Sequence, residues 1–243
     1  MENDGKTTLT WYGHACVEMQ TPGGKTVLFD PWFENPKSPK RAEDVDRCDV
    51  MLVSHGHSDH LGNALPIASR TRPRWPAIHE MQLWLGSVYS APDDCVGFNK
   101  GGTVEVKGLK VTMTSADHSA GDWDPTAGMP RYLGEPAGFV VELEDGSKVY
   151  FAGDTNVFSD MRLIRDLHGP DLAILPIGGH YTMGPREAAL AVEFLGVDEV
   201  LPIHWGTFPI LAGTPEQLQS ELAARSLGDV RVHAWTPGQS VTR

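Results

Sequence analysis

Cysteine is scarce in this chain. Cys16, Cys48 and Cys95 are an odd number of thiols at wide spacings, with no CxxC and no sign of a disulfide framework. Cys16 and Cys48 flank apolar strand patterns and read as core thiols. Long apolar runs are also missing, and none approaches the roughly 20 residues needed to cross a bilayer. Nor is there a basic or apolar stripe suited to a membrane surface. The polar, acidic start Met1-Glu2-Asn3-Asp4-Gly5-Lys6 is unlike a secretory leader, so a cytoplasmic protein is expected. Basic residues are in deficit, 20 against 32 acidic, and the formal charge of −12 argues against a general affinity for nucleic acid. No GxSxG occurs to suggest a serine nucleophile. What remains, 243 residues of which 40% are apolar and 21% charged, describes an ordinary globular chain. With no internal linker it reads as a single domain over residues 1–243.

Histidine is not scarce, and it is concentrated. Ser54-His55-Gly56-His57-Ser58-Asp59-His60 follows the apolar run Val50-Met51-Leu52-Val53, so three imidazoles and a carboxylate crowd together at a strand end. Alternate side chains there, His55 and His57, turn toward one point, while Asp59 and His60, entering a helix, reach a second. Neutral imidazole and carboxylate suit Zn²⁺, Mn²⁺ or iron. Two such points need more ligands than the cluster holds. His118, Asp154 and His204 each follow a predicted strand downstream, and Gly153 lets the backbone turn tightly before Asp154.

The pattern along the chain predicts strands at 8–12, 16–19, 26–30 and 49–53, helices at 59–68 and 80–86, and strands again at 102–106, 109–114, 138–143 and 148–152. From residue 157 helices alternate with strands: helix 159–167, strand 172–176, helix 185–195, strand 199–203, helix 215–226 and strand 231–234. Two sheets packed face to face with helices outside accommodate this order. The Gly- and Pro-rich segment 119–137 fits neither strand nor helix. Because it begins beside His118, it is expected to form a wall or lid of the site.

The order HxHxDH, then His, then Gly-Asp-Thr, then His resembles the metallo-β-lactamase superfamily of hydrolases. The segments Trp11-Tyr12-Gly13-His14-Ala15, Phe29-Asp30-Pro31-Trp32, Tyr181-Thr182-Met183-Gly184-Pro185 and Pro202-Ile203-His204-Trp205-Gly206-Thr207-Phe208 carry the likeness to a bacterial and archaeal branch of metal-dependent hydrolases. That branch is related to ascorbate-phosphate lactonases and, more distantly, to the phospholipase D acting on N-acyl ethanolamine phospholipids. The resemblance covers about residues 8–239. It implies an α/β fold, an αββα sandwich of two mixed sheets. It also implies two divalent ions, Zn²⁺ first with Mn²⁺ or iron as alternatives. His55, His57 and His118 would hold one ion, Asp59, His60 and His204 the other, with Asp154 bridging. A hydroxide shared by the ions and oriented by Asp59 would be the nucleophile.

Other residues suggest supporting roles. His180 lies between a strand and a helix, where it could polarise a substrate oxygen or protonate a leaving group. His14 and Asp30, both at strand ends, are candidates to fix ligand tautomers and loop geometry. Arg131 and Tyr181 are candidate substrate contacts, and Trp32, Trp123, Trp205 and Phe208 candidate pocket walls. The expected substrate is a small anionic or neutral polar molecule with an ester, lactone, amide or phosphodiester bond, rather than nucleic acid or a membrane. A non-hydrolytic redox enzyme or metal-binding scaffold of the same fold is the alternative. A homo-oligomer is compatible with the sequence, which does not specify one.

Overall fold

The computed structural model describes residues 5–243; the polar start at 1–4, on which the reading of no leader partly rests, lies outside the described residues. The chain begins with three antiparallel strands, β1 (Thr8–Trp11), β2 (Val17–Gln20) and β3 (Thr26–Phe29). Next come β4 (Val50–Leu52), α1 (Ser58–Leu61), α2 (Ala64–Thr71), β5 (Trp75–Ile78), α3 (His79–Val88) and β6 (Cys95–Phe98). The middle supplies β7 (Thr103–Val106), β8 (Leu109–Ser115), β9 (Asp122–Asp124), β10 (Met129–Arg131), β11 (Ala137–Glu142) and β12 (Lys148–Phe151). The last third holds α4 (Met161–His168), β13 (Leu172–Pro176), α5 (Pro185–Leu195), β14 (Glu199–Ile203), α6 (Pro215–Ala224), β15 (Arg231–Val232) and β16 (Ser240–Thr242).

The strands form a five-stranded sheet, β16-β1-β2-β3-β4, and a seven-stranded sheet, β15-β14-β13-β12-β11-β8-β7. Both are mixed. In the first, β3 and β4 run parallel beside antiparallel neighbours; in the second, β12 to β15 run parallel and β7, β8 and β11 complete an antiparallel half. Their inner faces share one apolar core, in which the rings of Phe29 and Phe151 stack 4.8 Å apart from opposite sheets. Alternation explains it: Leu9 and Trp11 of β1 and Val17 and Met19 of β2 point inward and are buried. A second cluster fills the space between the outer face of the larger sheet and α4, α5 and α6, with Tyr150, Ala173 and Leu175 meeting Ile164, Val192 and Leu222. Helix starts are well marked: α5 opens on Pro185 with Glu187 accepting from the Gly184 N–H, and α6 has a reciprocal Thr214–Gln217 capping box.

Strand direction positions the site. β8 and β12 are both antiparallel to β11, and β12, β13 and β14 are parallel, so their C-terminal ends lie along one edge. In the smaller sheet, β1 and β3 are both antiparallel to β2, and β4 is parallel to β3. Each expected ligand, and His14, Asp30 and His180 as well, follows the C-terminal end of one of these strands.

Three local expectations differ from the structure. The helix expected at 59–68 is two helices, because Gly62 breaks it with φ of +38°. A Cβ at Gly62 would stand 2.7 Å from Trp32 Cα, so the backbone of the 31–34 loop docks where a side chain would be. The segment 119–137 is not structureless, since β9 and β10 form a hairpin in it. The parallel pair β5–β6 and the C-terminal strand β16 were not anticipated; Pro76 and Gly97 weaken the strand signal in that pair. Among the described residues, no helix is long and apolar enough to cross a membrane.

Because Phe151 is fully buried between the sheets, Phe151→Ala is expected to destabilise the fold by about 3–5 kcal/mol. Urea unfolding would show this as a lowered midpoint; an unchanged midpoint would mean that the inter-sheet stack is not a principal packing contact.

Candidate metal centre and substrate cleft

Seven side chains from four strand ends meet at the edge defined above. His55, His57, Asp59 and His60 come from the β4–α1 turn, His118 follows β8, Asp154 follows β12 and His204 follows β14. Three overlapping sets of ligating atoms lie within 4.8 Å of one another: His55, His57 and His118; His55, His60 and Asp154; and His14, Asp59, His60 and His204. The first and third match the two sets implied by resemblance, with His14 added to the third. Asp154 Oδ2 lies 3.2 Å from His60 Nε2, 3.1 Å from His204 Nε2 and 3.5 Å from His118 Nε2, so one carboxylate oxygen touches both groups.

The donor set fits divalent cations. His55 Nε2 and His57 Nδ1 stand 2.8 Å apart, a separation at which a proton or a cation must sit between two nitrogen lone pairs. Asp154 Oδ1 and His60 Nε2 are buried without a hydrogen-bond partner, and such atoms are costly unless something satisfies them. Burial pushes the imidazoles of His55, His57 and His118 below their ordinary pKa, which leaves them neutral and able to ligate. Burial would lower His60 too, but the carboxylates of Asp154 and Asp30 outweigh it and hold His60 well above the usual range. A metal at His60 Nε2 therefore displaces a proton. Asp154 and Asp59 are pushed the other way. Burial favours their neutral forms, yet His204 and His60 around Asp154, and His14 and His60 around Asp59, keep both ionised.

Behind the candidate ligands lies a set of buried hydrogen bonds. Asp30, fully buried, accepts from Ser54 N–H at 2.7 Å, from Ser54 Oγ at 2.7 Å and from His60 Nδ1 at 2.6 Å. Ser54 Oγ, its proton given to Asp30, accepts from His55 Nδ1 at 2.9 Å. This fixes Nε2 as the nitrogen that His55 offers to a metal. His14 is also buried, and desolvation pushes its pKa down to about 4. Its single proton goes from Nε2 to Asp59 Oδ2 at 3.0 Å, and Nδ1 accepts from Thr207 Oγ1 at 3.0 Å. The His14 carbonyl meanwhile accepts from the His204 N–H at 2.8 Å, so one turn steadies two candidate ligands. Backbone strain is concentrated here: His14, Asp30, His180 and His204 all have φ between +40° and +61°. Gly153, at φ +62°, has no room for a side chain, since a Cβ would sit 2.5 Å from Ser54 Cβ.

Five of the candidate ligands, His57, Asp59, His118, Asp154 and His204, floor a cleft of about 580 Å³ lined also by Trp32, Ser58, Ser119, Tyr181 and Phe208. Tyr181, an expected substrate contact, is on its wall. His180 is not, and stacks edge-on beside Tyr181 with ring centroids 4.4 Å apart. Arg131 is not there either. Its guanidinium pairs with Asp124 at 2.5 Å and Asp122 at 3.7 Å within the β9–β10 hairpin and lies over the Trp84 ring, so it is already committed. Of segment 119–137, Ser119 lines the cleft, whereas Leu133 packs under Gly56 of the histidine turn. Ser54 and Thr207 escaped the sequence reading. The only trace of either is adjacency, Ser54 to the histidine cluster and Thr207 to the His204 loop.

Residues 25–205 match the model described as a beta-lactamase superfamily domain. Along nearly its whole length the chain is similar to proteins named UPF0173 metal-dependent hydrolase. The one from Herpetosiphon aurantiacus is 44% identical, with 97% of this chain and 98% of the relative covered. The one from Rubrobacter xylanophilus is 46% identical, with 98% and 97% covered. Among solved structures, Igni18, described as a novel metallo hydrolase from Ignicoccus hospitalis, superposes with a TM-score of 0.86 at 33% identity, covering 98% of each chain.

Replacing Asp30 with Ala leaves Ser54 N–H and His60 Nδ1 unpaired in a buried site. Zn²⁺ affinity, measured by competition with a chromophoric chelator, is expected to fall about 10–100-fold. Unchanged affinity would show that Asp30 supports the loop and not the ligand.

Proposed function

Because this chain belongs to the UPF0173 metal-dependent hydrolases of the metallo-β-lactamase superfamily, we propose that it hydrolyses a small molecule at two divalent ions held by His55, His57, Asp59, His60, His118, Asp154 and His204. The observation that carries this reading is the meeting of seven ligating side chains from four strand ends, of which His57, Asp59, His118, Asp154 and His204 floor one open cleft while His55 and His60 lie buried beneath it. When bound, two such ions would supply Lewis acidity toward a carbonyl or phosphoryl oxygen and an activated water. Zn²⁺ is the first candidate, and imidazole–carboxylate sets also accept Mn²⁺ or iron.

The chain's own residues supply position and orientation. His55, His57 and His118 hold their neutral form by burial, so cation binding there costs no deprotonation. Asp154 brings one carboxylate oxygen to the imidazoles of both groups and would help to hold a cation in either. Asp59, one-third exposed and lining the cleft, is the carboxylate placed to accept a hydrogen bond from water and orient it, while His14 keeps it ionised and fixes its rotamer. Tyr181 is the phenol on the cleft wall. The formal charge of −12 disfavours a nucleic-acid substrate, which supports a small molecule.

The purified protein is expected to carry close to two transition-metal ions by elemental analysis. Asp154→Ala should lower metal content and abolish hydrolysis of a mixed ester, lactone and bis(p-nitrophenyl) phosphate panel. His180→Ala, at one remove from the cleft, should keep kcat within about tenfold, short of the 10²–10⁴-fold of a lost general acid or base. Full activity in Asp154→Ala with metal content halved would remove the bridging role.

A further inference from the structure

The non-ligating wall of the cleft carries information about what enters it. Trp32 and Phe208 face each other at 6.3 Å between ring centroids with planes 34° apart. Both pack against the imidazole of His14, Trp32 edge-on at 5.0 Å and Phe208 at 6.2 Å. Since His14 is the ring that holds Asp59, the aromatic pair stands one ring away from the carboxylate that would orient water. Phe208 is 41% exposed and Tyr181 60% exposed, so these rings are not buried to build the core.

The wall is also pre-set. The Trp32 N–H bonds to the Asp30 carbonyl at 2.7 Å, its backbone rests on Gly62, and Asn63 Oδ1 accepts from the next two amides, Phe33 at 2.9 Å and Glu34 at 3.2 Å. The Phe208 loop closes on itself through Gly206 N–H to the Leu211 carbonyl at 2.9 Å and Leu211 N–H to the Phe208 carbonyl at 3.0 Å. Charge points the same way. Among the described residues no Lys or Arg lines the cleft, and its ionised side chains are the carboxylates Asp59 and Asp154. A phosphate or carboxylate held away from the ions would meet no cationic partner.

Resting on the hydrolase reading above, we propose that Trp32 and Phe208 determine specificity, and that the substrate is an uncharged carboxylic ester or lactone with a flat apolar group beside the scissile carbonyl. The apolar group lies against the two rings while the carbonyl sits over the ligand floor. Water adds to the carbonyl carbon, the carbon–oxygen single bond breaks, and the leaving alkoxide takes a proton, giving a carboxylic acid and an alcohol.

The test compares methyl phenylacetate with methyl acetate on the metal-loaded enzyme by proton release, beside bis(p-nitrophenyl) phosphate, using wild type, Phe208→Ala and Phe208→Leu. Methyl phenylacetate should be cleaved at least about tenfold more efficiently than methyl acetate, in line with an aromatic contact. Phe208→Ala should raise KM for methyl phenylacetate about tenfold with kcat little changed, a clearly larger loss than on methyl acetate, and Phe208→Leu should recover part of it. An equal loss on both esters, or more efficient cleavage of the phosphodiester than of methyl phenylacetate, would overturn the proposal. A calorimetric titration with phenylacetate and acetate needs no turnover. If no compound is hydrolysed, the hydrolase reading fails, and the wall is judged by binding alone. Phenylacetate binding about tenfold tighter than acetate, with the advantage lost in Phe208→Ala, supports the wall; equal binding overturns it.

Discussion

Asp30 accepts three hydrogen bonds on one fully buried carboxylate, and the rest of the site hangs from them. A buried carboxylate is tolerable only when its oxygens are satisfied, so Ser54 and His60 must come to it. In coming, Ser54 turns the start of the histidine cluster away from β4 and sets the tautomer of His55, while His60 has its Nε2 aimed at Asp154. The same turn carries Pro31 and Trp32 out to the cleft. One side chain thus links a strand end, two candidate ligands and the wall a substrate would touch.

The sheets supply the other half of the geometry. A single strand end delivers one or two side chains to a point, and a dinuclear centre needs about seven. Strands that run the same way beside one another solve this, because their exits fall on one edge. Sharing that edge has a cost in backbone strain, visible in the left-handed φ of His14, Asp30 and His204. The wide hydrogen-bond network and the two apolar clusters offset it.

Much of this could be read in the chain. The histidine cluster, the strand-end context of His118, Asp154 and His204, and the alternation of strands and helices are local patterns, and local patterns survive without coordinates. What could not be read is pairing across distance. Nothing beside Thr207 says that its hydroxyl meets His14, 193 positions away. Arg131 looked available because its loop begins at a candidate ligand, yet a hairpin folded it onto Asp124, seven residues back. Gly62 reads as a tolerated helix glycine until Trp32 is seen against it. The two-stranded pair β5–β6 was hidden by a proline within an otherwise apolar run.

The hairpin of β9 and β10 satisfies its own charges and pairs its own backbone, Arg131 with Asp124 and Met129 opposite Asp124. Leu133, two residues beyond β10, packs against Gly56 of the histidine turn. Such a segment is a cassette. Lengthening, shortening or exchanging it would leave in place the strand ends that carry the candidate ligands, so the surface around the cleft can change shape independently of its floor.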